Sequence, residues 1–576
     1  MSIFDIFRRR KKIYRPWAKY YTDEQLNIKI PNLTMYDQIF LAKEKYSDMI
    51  AYEYFNKKVT YNKFIKQIDR AYLSFKKMGI RKGDIVTLCL PNIPNVLIAL
   101  YGLNKIGAIA NMLHPLSADE EIKDSLTSTN SKAIVVLDQI YNKSHTVIES
   151  TDIDNIIVCS AADYMTLGMK SAYKATQIKN IKLIKKTVKR RKWFRFLFSS
   201  LFFKDRDIKK CGKNTSAVIL HSGGTSGKPK NVVLSNRSFV MLTEQGDIAL
   251  KDLNVGDKSL AIMPNFHGFG LGVTMHCQIA RGVTSILVPQ FDAKKFDTLL
   301  KKTRPEFVVG VPTLFEALIT SSNEQDLDLS FIKYVVSGGD KLSANLEQRV
   351  DDYLHKHNSD AILTQGYGLS EALAAVTLGS THANKPGSVG IPLPGNIVKI
   401  IDPATRKTVP YGDVGEICIH TKGLMTGYLN EESETNTALQ IHDDGYVWLH
   451  TGDLGKMDED GFLFIEGRSK RMIICSGYNV YPSHVEEVIE SHPAVLQCTV
   501  VGVPHPYKQE VPKAFIVLKE GFHGLFIKAE IKNYCKKNLA KYMIPQEFVY
   551  RKQLPKTKLG KVDFRKLQED NGADDD

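Results

Sequence analysis

Residues 220–236 read LHSGGTSGKPKNVVLSN and continue the apolar run SAVILHS at 216–222, so a strand delivers the chain into a hydroxyl-rich, cationic turn. Gly223, Gly224 and Gly227 let backbone N–H groups converge with no Cβ in the way. Ser222, Thr225 and Ser226 add hydroxyl donors, and Lys228 and Lys230 add charge. Such a turn is suited to hold phosphate. It is not a Walker A loop, which needs Gly where Ser222 stands and Ser or Thr where Pro229 stands. Nor is GFGLG at 268–272 a dinucleotide fingerprint, because Val273 occupies the place of the last glycine. Taken alone, a Gly/Ser-rich connection between strands is an equally ordinary reading.

On either side of this turn, β-prone runs alternate with segments of helical spacing. AYEYFNKKVTY at 51–61 predicts a hairpin turning at Asn56-Lys57-Lys58. Phe64, Ile68, Ala71, Tyr72 and Phe75 lie on one face of a helix over 61–78, with Gly79 as its C-terminal cap. Strands at 84–90 and 132–138 flank a helix at 95–107, and further strands follow at SLAIMPN, TSILVPQ and IKYVVSGGD, as in a layered α/β sheet. After about residue 386 the chain changes to short strands and turns, which predicts a β-rich subdomain. From residue 470 onward, helices at 483–491 and 527–539 and strands CTVVGV and KAFIVLK suffice for a small domain.

A chain of 576 residues that is 43% apolar buries several cores, and its eight cysteines include no CxxC pair, which argues against a zinc site or a disulfide framework. A reducing, cytoplasmic setting is expected. No signal peptide precedes RRRKK at 8–12, and the apolar segment at 193–203, interrupted by Arg195, is too short to span a bilayer. The net charge of +15 is concentrated in two places: residues 1–19 carry seven Lys/Arg against one Asp, and residues 179–210 thirteen against two. Bulky apolar side chains interleave with both, Trp193, Phe194, Phe196, Phe198 and Leu201 among them. That mixture fits either peripheral contact with an anionic membrane or a basic insertion whose aromatics pack on the body. No nucleic-acid motif accompanies the charge, so nucleic acid is not an expected partner.

Six further strings complete the pattern: SGGD at 337–340, QGYGLSE at 365–371, TGD at 451–453, GR at 467–468, SGYNVYP at 476–482 and PKTKLGK at 555–561. With the 220–236 turn they resemble, in order and spacing over residues 45–567, the adenylate-forming superfamily of acyl-CoA synthetases, adenylation domains and beetle luciferases. Singly each string has a plain explanation, Glu371 as a helix cap, Asp453 as a turn residue, Lys561 as one surface lysine among many. Together they identify the family. Asn231 stands where the family usually has Gly, and Ser370 where it often has Thr.

The resemblance implies an α/β fold: a large multi-layer N-terminal domain over 1–469, with two α/β sheets, a β-rich subdomain and the basic insertion at 179–210, and a small mobile α+β domain over 470–576. A carboxylic acid has a pKa near 4 and is a carboxylate at neutral pH, so a thiol does not displace its oxygen without prior activation. The implied activation is exchange with ATP to give acyl-AMP and pyrophosphate. Ser222, Gly223, Gly224, Thr225, Ser226, Gly227 and Lys230 are then expected on phosphate, and Gly339, Asp340, Gly366, Tyr367 and Gly368 around adenine. Ser370 is expected near the α-phosphate, Glu371 on Mg²⁺, and Asp453 and Arg468 on the ribose. Lys561, Thr225, Glu371 and His267 are the implied catalytic residues, and Gly477 and Tyr478 line the implied pantetheine tunnel. Lys470 matches the family's hinge, about which the small domain turns between half-reactions.

The segment RPWAKYY…IPNLTMYDQI and the spelling SGYNVYP resemble bacterial long-chain fatty acyl-CoA synthetases most closely, which implies a fatty acid and coenzyme A as substrates. The motif around His267, NFHGFGLG, is similar to one whose aromatic residue borders the acyl pocket, and its glycines are read as room for a long tail. Medium-chain and aromatic acids stay open, as does a separate acyl carrier protein as acceptor. A luciferase-like monooxygenase is disfavoured by Ile474, where beetle luciferases carry lysine, and a silent adenylate-binding regulator by the presence of Lys561, Glu371 and Asp453.

Overall fold

The protein is described from a computed structural model over residues 13–177, 189–201, 203–204, 211–222, 230–321, 327–475, 478–505, 507–557 and 561–570. Among the described residues the strands form four sheets, and the predicted alternation builds two of them. The eight-stranded sheet runs, edge to edge, Gly427–Tyr428, Lys230–Ser235, Ser216–Ser222, Ile109–Met112, Ile85–Cys89, Ala133–Leu137, Asn155–Cys159 and Arg190–Lys192. From Ser216–Ser222 to the last strand all pairings are parallel. The nine-stranded sheet has Leu363–Tyr367, Tyr334–Gly338 and Phe307–Gly310 in parallel near its middle, and ends in the hairpin Ile50–Tyr54 and Lys57–Thr60. Parallel strands buried on both faces read as continuous apolar runs, as AIVVL at 133–137 does, every residue of which is buried.

Helices close the layers between the sheets. Tyr61–Lys77 begins at Thr60, whose hydroxyl accepts from Lys63 N at 3.4 Å, and buries Phe64, Ile68, Ala71 and Phe75 on the predicted face. Pro94–Ile106 is buried along nearly its whole length and stops at Gly107, whose φ of +83° only glycine adopts freely. Each buried Val, Leu or Ile contributes about 1.5–3 kcal/mol when removed from water, so this mostly apolar helix is held by its burial between layers. The amino-terminal stretch, polar in overall composition, is anchored by Trp17, 1% exposed, which packs so closely on Gly461 that a Cβ there would lie 2.7 Å from Trp17 N.

The third sheet is antiparallel and joins Ile397–Ile401, Gly415–His420, Val447–Met457, Leu439–Ile441 and Leu463–Arg468. The fourth contains only strands after residue 472, with Val495–His505 and Gln509–Leu518 at its centre, and covers its own core of Val485, Ile489, Val500, Ala514, Ile531 and Cys535.

Three local expectations change. The hairpin turns at Phe55 and Asn56, with φ of +47° and +62°, one residue ahead of the predicted turn, because the two left-handed residues match the twist of the flanking strands. Of the interleaved aromatics at 193–203, Trp193 and Phe196 pack into the main core while Phe194 and Phe198 face outward, and Arg190–Lys192 adds an edge strand that the charge run concealed. The glycines of 268–272 serve packing more than tail room. They lie at the head of a π-helix, Phe269–His276, where a Cβ on Gly270 would meet Pro264 O at 2.1 Å and one on Gly272 would meet Leu242 Cδ2 at 2.9 Å. Only Gly268 of the three lines the cavity described below.

Candidate active site

The site lies where the carboxyl ends of the parallel strands of both large sheets face the antiparallel subdomain and the small fourth-sheet unit. Strand Leu363–Tyr367 carries Gly366 and Tyr367 to this edge, and its parallel neighbour Tyr334–Gly338 carries Gly339, φ +81°, and Asp340 to the same edge. After Tyr367 the chain folds back on itself: a Cβ on Gly368 would lie 1.1 Å from Ala374 O, so no other residue fits there. Ser370 and Glu371 occupy the single 3-10 turn inside that fold, followed by Leu373 and Ala374 at φ of +49° and +75°. Two successive left-handed non-glycine residues store strain beside Glu371.

Opposite them, Asp453 is buried at the centre of a polar corner. Its Oδ2 accepts from Tyr367 Oη at 2.6 Å, and its Oδ1 pairs with Arg468 Nε at 3.0 Å, the partner directly across the ladder. Burial raises the Asp453 carboxyl above its usual range, while Arg468 and Tyr367 act to keep it ionised. Burial and the adjoining carboxylate raise the Tyr367 phenol far above its usual range, so it remains a donor.

The turn holding Asp453 is braced from behind. Glu416 Oε1 accepts from Gly452 N at 3.1 Å and its Oε2 from His450 Nδ1 at 3.0 Å, while His450 Nε2 meets His442 Nε2 at 2.9 Å. Thr451 Oγ1 donates to Ile417 O at 2.8 Å and accepts from Asp453 N at 3.0 Å. Neither Glu416 nor His450 stood out in the sequence. The one available signal was their alternation across Gly415–His420 and Val447–Met457, where Cys418 faces His450, with a register shift beside Glu416.

Glu371 Oε1 accepts from Tyr428 Oη at 2.9 Å, and among the described residues no hydrogen bond reaches Oε2. Lys230 lies 4.7 Å from the Tyr428 ring centroid and pairs with Glu434. Tyr428 and Glu434 thus join the site unannounced by any motif. Ser222 pairs with Lys230 across the mouth of the glycine turn. Gly223, Gly224, Thr225, Ser226 and Gly227 lie outside the described residues, as does Gly477. Tyr478 opens the strand Tyr478–Val480.

His267 Nδ1 accepts from Phe269 N at 3.2 Å, so its proton is on Nε2. Burial, reinforced by the Lys561 charge, pushes its pKa down to about 4, and the ring is neutral at physiological pH. It lines an apolar cavity with Gly339, Tyr367 and Ser370 at one end and Leu242, Ala249, Leu250, Val273 and Phe307 beyond.

Lys561 arrives from the fourth-sheet unit. Its turn is closed by Thr557 N donating to Lys561 O at 2.7 Å and by the bridge of Lys556 with Val562. Burial lowers the ammonium pKa, opposed by the charges of Asp340 and Asp453, with Arg468 adding to the lowering. The same face is joined to the large body by Lys341 Nζ, which donates to Ser483 O at 2.8 Å. Lys470 sits in the turn Ser469–Arg471. On one side of it Arg468 is tied to Asp453; on the other Arg471 bonds Glu486 Oε1 at 3.1 Å and stacks on the Phe564 ring at 3.4 Å. Only Ser469 and Lys470 separate the two anchors.

The structure thus brings a buried carboxylate, a neutral imidazole, an apolar cavity and an inserted lysine to one place. The AMP-binding enzyme family model matches residues 40–429, and the AMP-binding enzyme C-terminal domain model matches residues 484–561. A long-chain-fatty-acid–CoA ligase of Bacillus subtilis is 32% identical over 570 residues, covering 96% of this chain and 98% of its own. A probable 4-coumarate–CoA ligase 1 of Dictyostelium discoideum is 28% identical over 516 residues, covering 88% and 89%. Among solved structures, the anthranilate CoA ligase AuaEII in complex with anthranoyl-AMP superposes with a TM-score of 0.81 at 20% identity, covering 95% and 98% of the two chains. No helix among the described residues is long and apolar enough to cross a membrane. The chain belongs to the AMP-binding enzyme family and is an adenylate-forming, AMP-producing acid–thiol ligase that uses ATP and coenzyme A.

Proposed function

We propose that the acid is a long-chain fatty acid. The observation that carries this reading is the chemistry of the cavity. Beyond its His267 end the polar side chains are already satisfied: Gln245 Nε2 donates to Pro394 O at 2.9 Å and Asn396 Oδ1 at 3.1 Å, Cys277 Sγ to Leu242 O at 3.7 Å, and Thr377 Oγ1 to Val389 O at 2.5 Å. These side-chain donors are thus spent, which leaves little to reward a ring hydroxyl or amine, whereas each methylene placed there gains about 0.8 kcal/mol. The name of the Bacillus subtilis relative agrees with this choice. The coumarate and anthranilate ligases keep an aromatic acid as the competing substrate.

In this reading the carboxylate would enter past His267, whose Nε2–H donates to one oxygen and leaves the other free to attack the α-phosphorus. Asp453 would accept the ribose hydroxyls and Arg468 would steady them, while Tyr367 and the Gly339–Asp340 turn enclose adenine. Ser222 and Lys230, with Thr225 and its neighbours in the turn, would hold the phosphates, and Ser370 would donate near the α-phosphate. Lys561 would neutralise charge as it develops between carboxylate and phosphate, in a setting where water is excluded and a cation acts strongly. Mg²⁺ fits the residues present: Glu371 offers a hard carboxylate with Oε2 open, and a single carboxylate plus phosphate oxygens is the set this ion uses. Bound there, it would offset phosphate charge.

Turning about Ser469 and Lys470 would withdraw Lys561 and bring the Gly477–Tyr478 edge toward the acyl-AMP for attack by the thiol of coenzyme A. The test is ATP–pyrophosphate exchange across acids from acetate to oleate, together with benzoates. Exchange should rise with alkyl length; a preference for benzoates would contradict the reading. Single turnover with free coenzyme A against a pantetheine-bearing carrier protein then separates the two thiol acceptors.

A further inference from the structure

We propose that the short helix Trp193–Phe198, with the residues that follow it, is a docking surface for anionic lipid. The helix divides its aromatic side chains between two faces. Trp193, Phe196 and Leu197 are buried, Trp193 Nε1 donating to Tyr164 Oη at 2.9 Å and Phe196 stacking on Phe75 at 4.8 Å. Ser74 Oγ donates to Leu197 O at 3.3 Å and Lys77 Nζ to Ser199 O at 2.7 Å, so the helix is seated firmly on Tyr61–Lys77. The outward face presents Phe194 and Phe198, 37% and 60% exposed, at i, i+4 on the helix, and Leu201, 58% exposed, follows in the turn after it. Packing accounts for the inner face and for one edge of Phe194, whose ring lies 5.7 Å from that of Tyr164, and among the described residues it leaves Phe198 and Leu201 without a reason inside the fold.

The surrounding charge says what covers it. The described segments 164–177 and 189–201 carry seven Lys/Arg and no Asp or Glu. Lys192 and Arg195 are exposed beside the stripe, and Lys170 Nζ stands 5.7 Å from the Phe194 ring. Cations on the edge strand Arg190–Lys192 would by themselves discourage strand pairing, yet edge protection does not call for exposed phenylalanines next to them. Outward aromatics ringed by cations suit the boundary of a bilayer rich in anionic headgroups, where rings enter the interface and Lys/Arg meet phosphate. A second copy of this chain is a poorer occupant, because the same positive surface would face itself.

The experiment is co-sedimentation of the full chain with vesicles of phosphatidylcholine alone or mixed with phosphatidylglycerol. Wild-type protein should sediment with the mixed vesicles at low salt, remain free with neutral ones, and be released by high salt. F198E/L201E should lower the bound fraction about tenfold, and R191E/K192E/R195E by a similar factor. The thermal midpoint and ATP affinity of both variants should be unchanged, showing that the fold is intact. Absence of binding to mixed vesicles, or binding that both variants preserve, overturns the proposal. So does a wild-type dimer in sedimentation velocity that F198E/L201E converts to monomer, since the stripe would then belong to a second copy. Binding is read without turnover, so the result stands apart from the identity of the acid.

Discussion

In the proposed reaction the Asp453 corner and the Lys561 turn would both serve the nucleotide, and they are built on opposite plans. Asp453 is held by strand partners, by Tyr367 and Arg468 in front and by Glu416 and His450 behind, all within one body. Lys561 is held to its own small unit by one closed turn and reaches the large body beside a few contacts such as Lys341 with Ser483. In the proposed reaction the difference would separate two tasks. A binding corner gains from donors that need no rearrangement, whereas a cation required in one half-reaction and obstructive in the next must be easy to withdraw.

This contrast can be broken at several points. The largest effect is expected from Lys561→Ala, which should slow acyl-AMP formation about 10²–10³-fold, the usual cost of one lost transition-state contact. ATP affinity and thioester formation from supplied acyl-AMP should be nearly unchanged; equal slowing of both half-reactions would remove the distinction. Asp453→Ala should do the reverse, weakening ATP binding by about 2 kcal/mol, or some thirtyfold, through loss of a buried charged acceptor. Isothermal titration reads this directly.

Glu416→Ala tests the brace without touching the nucleotide. The KM for ATP should rise about fivefold, from loss of about 1 kcal/mol of turn positioning, with kcat little altered. Glu416→Gln, which keeps the acceptor for Gly452 N, should recover most of it; no recovery would mean that only the sheet, not the turn, was damaged. Lys341→Ala should have the smallest effect, slowing adenylation a few-fold through one lost hydrogen bond and leaving thioester formation unslowed.

Acid should separate the two bodies as well. In the large body burial lowers His221 and His267 to about 4 and His276 to about 3, below the ordinary 6.5. The unfolded chain therefore takes up protons first, and the stability these rings contribute is full above pH 6.5 and lost as pH falls toward 4, about 1.4 kcal/mol per unit for each. In the small unit burial raises Glu490 from 4.5 to about 7, which has the opposite sign: its contribution is full below 4.5 and lost as pH rises toward 7. Hydrogen exchange at pH 5 and pH 7, corrected for intrinsic rates, should show the segments around His221, His267 and His276 losing protection at the lower pH while the segment around Glu490 does not.

Much of this was legible in the chain because it is local. The strand at 216–222 and the helix from Tyr61 are set by periodicity, and the strings holding Tyr367, Asp453 and Arg468 are short enough to carry the family resemblance. What escaped is non-local. Glu416 reaches Gly452 across 36 positions and Tyr428 reaches Glu371 across 57, and neither residue type announces its partner. The glycines near 270 misled for the same reason: Gly270 is small because of Pro264 O and Gly272 because of Leu242, not to widen a tunnel. Arg190–Lys192 was hidden because its charges suit an edge strand as well as a loop.

A co-crystal structure with a non-hydrolysable palmitoyl-adenylate would test the central claim most directly. The account predicts ribose hydroxyls on Asp453, the acyl carbonyl between His267 and Lys561, and the alkyl chain running between Leu242 and Val273 toward Leu250. Adenosine bound away from Asp453, or a chain lying outside that cavity, would contradict it.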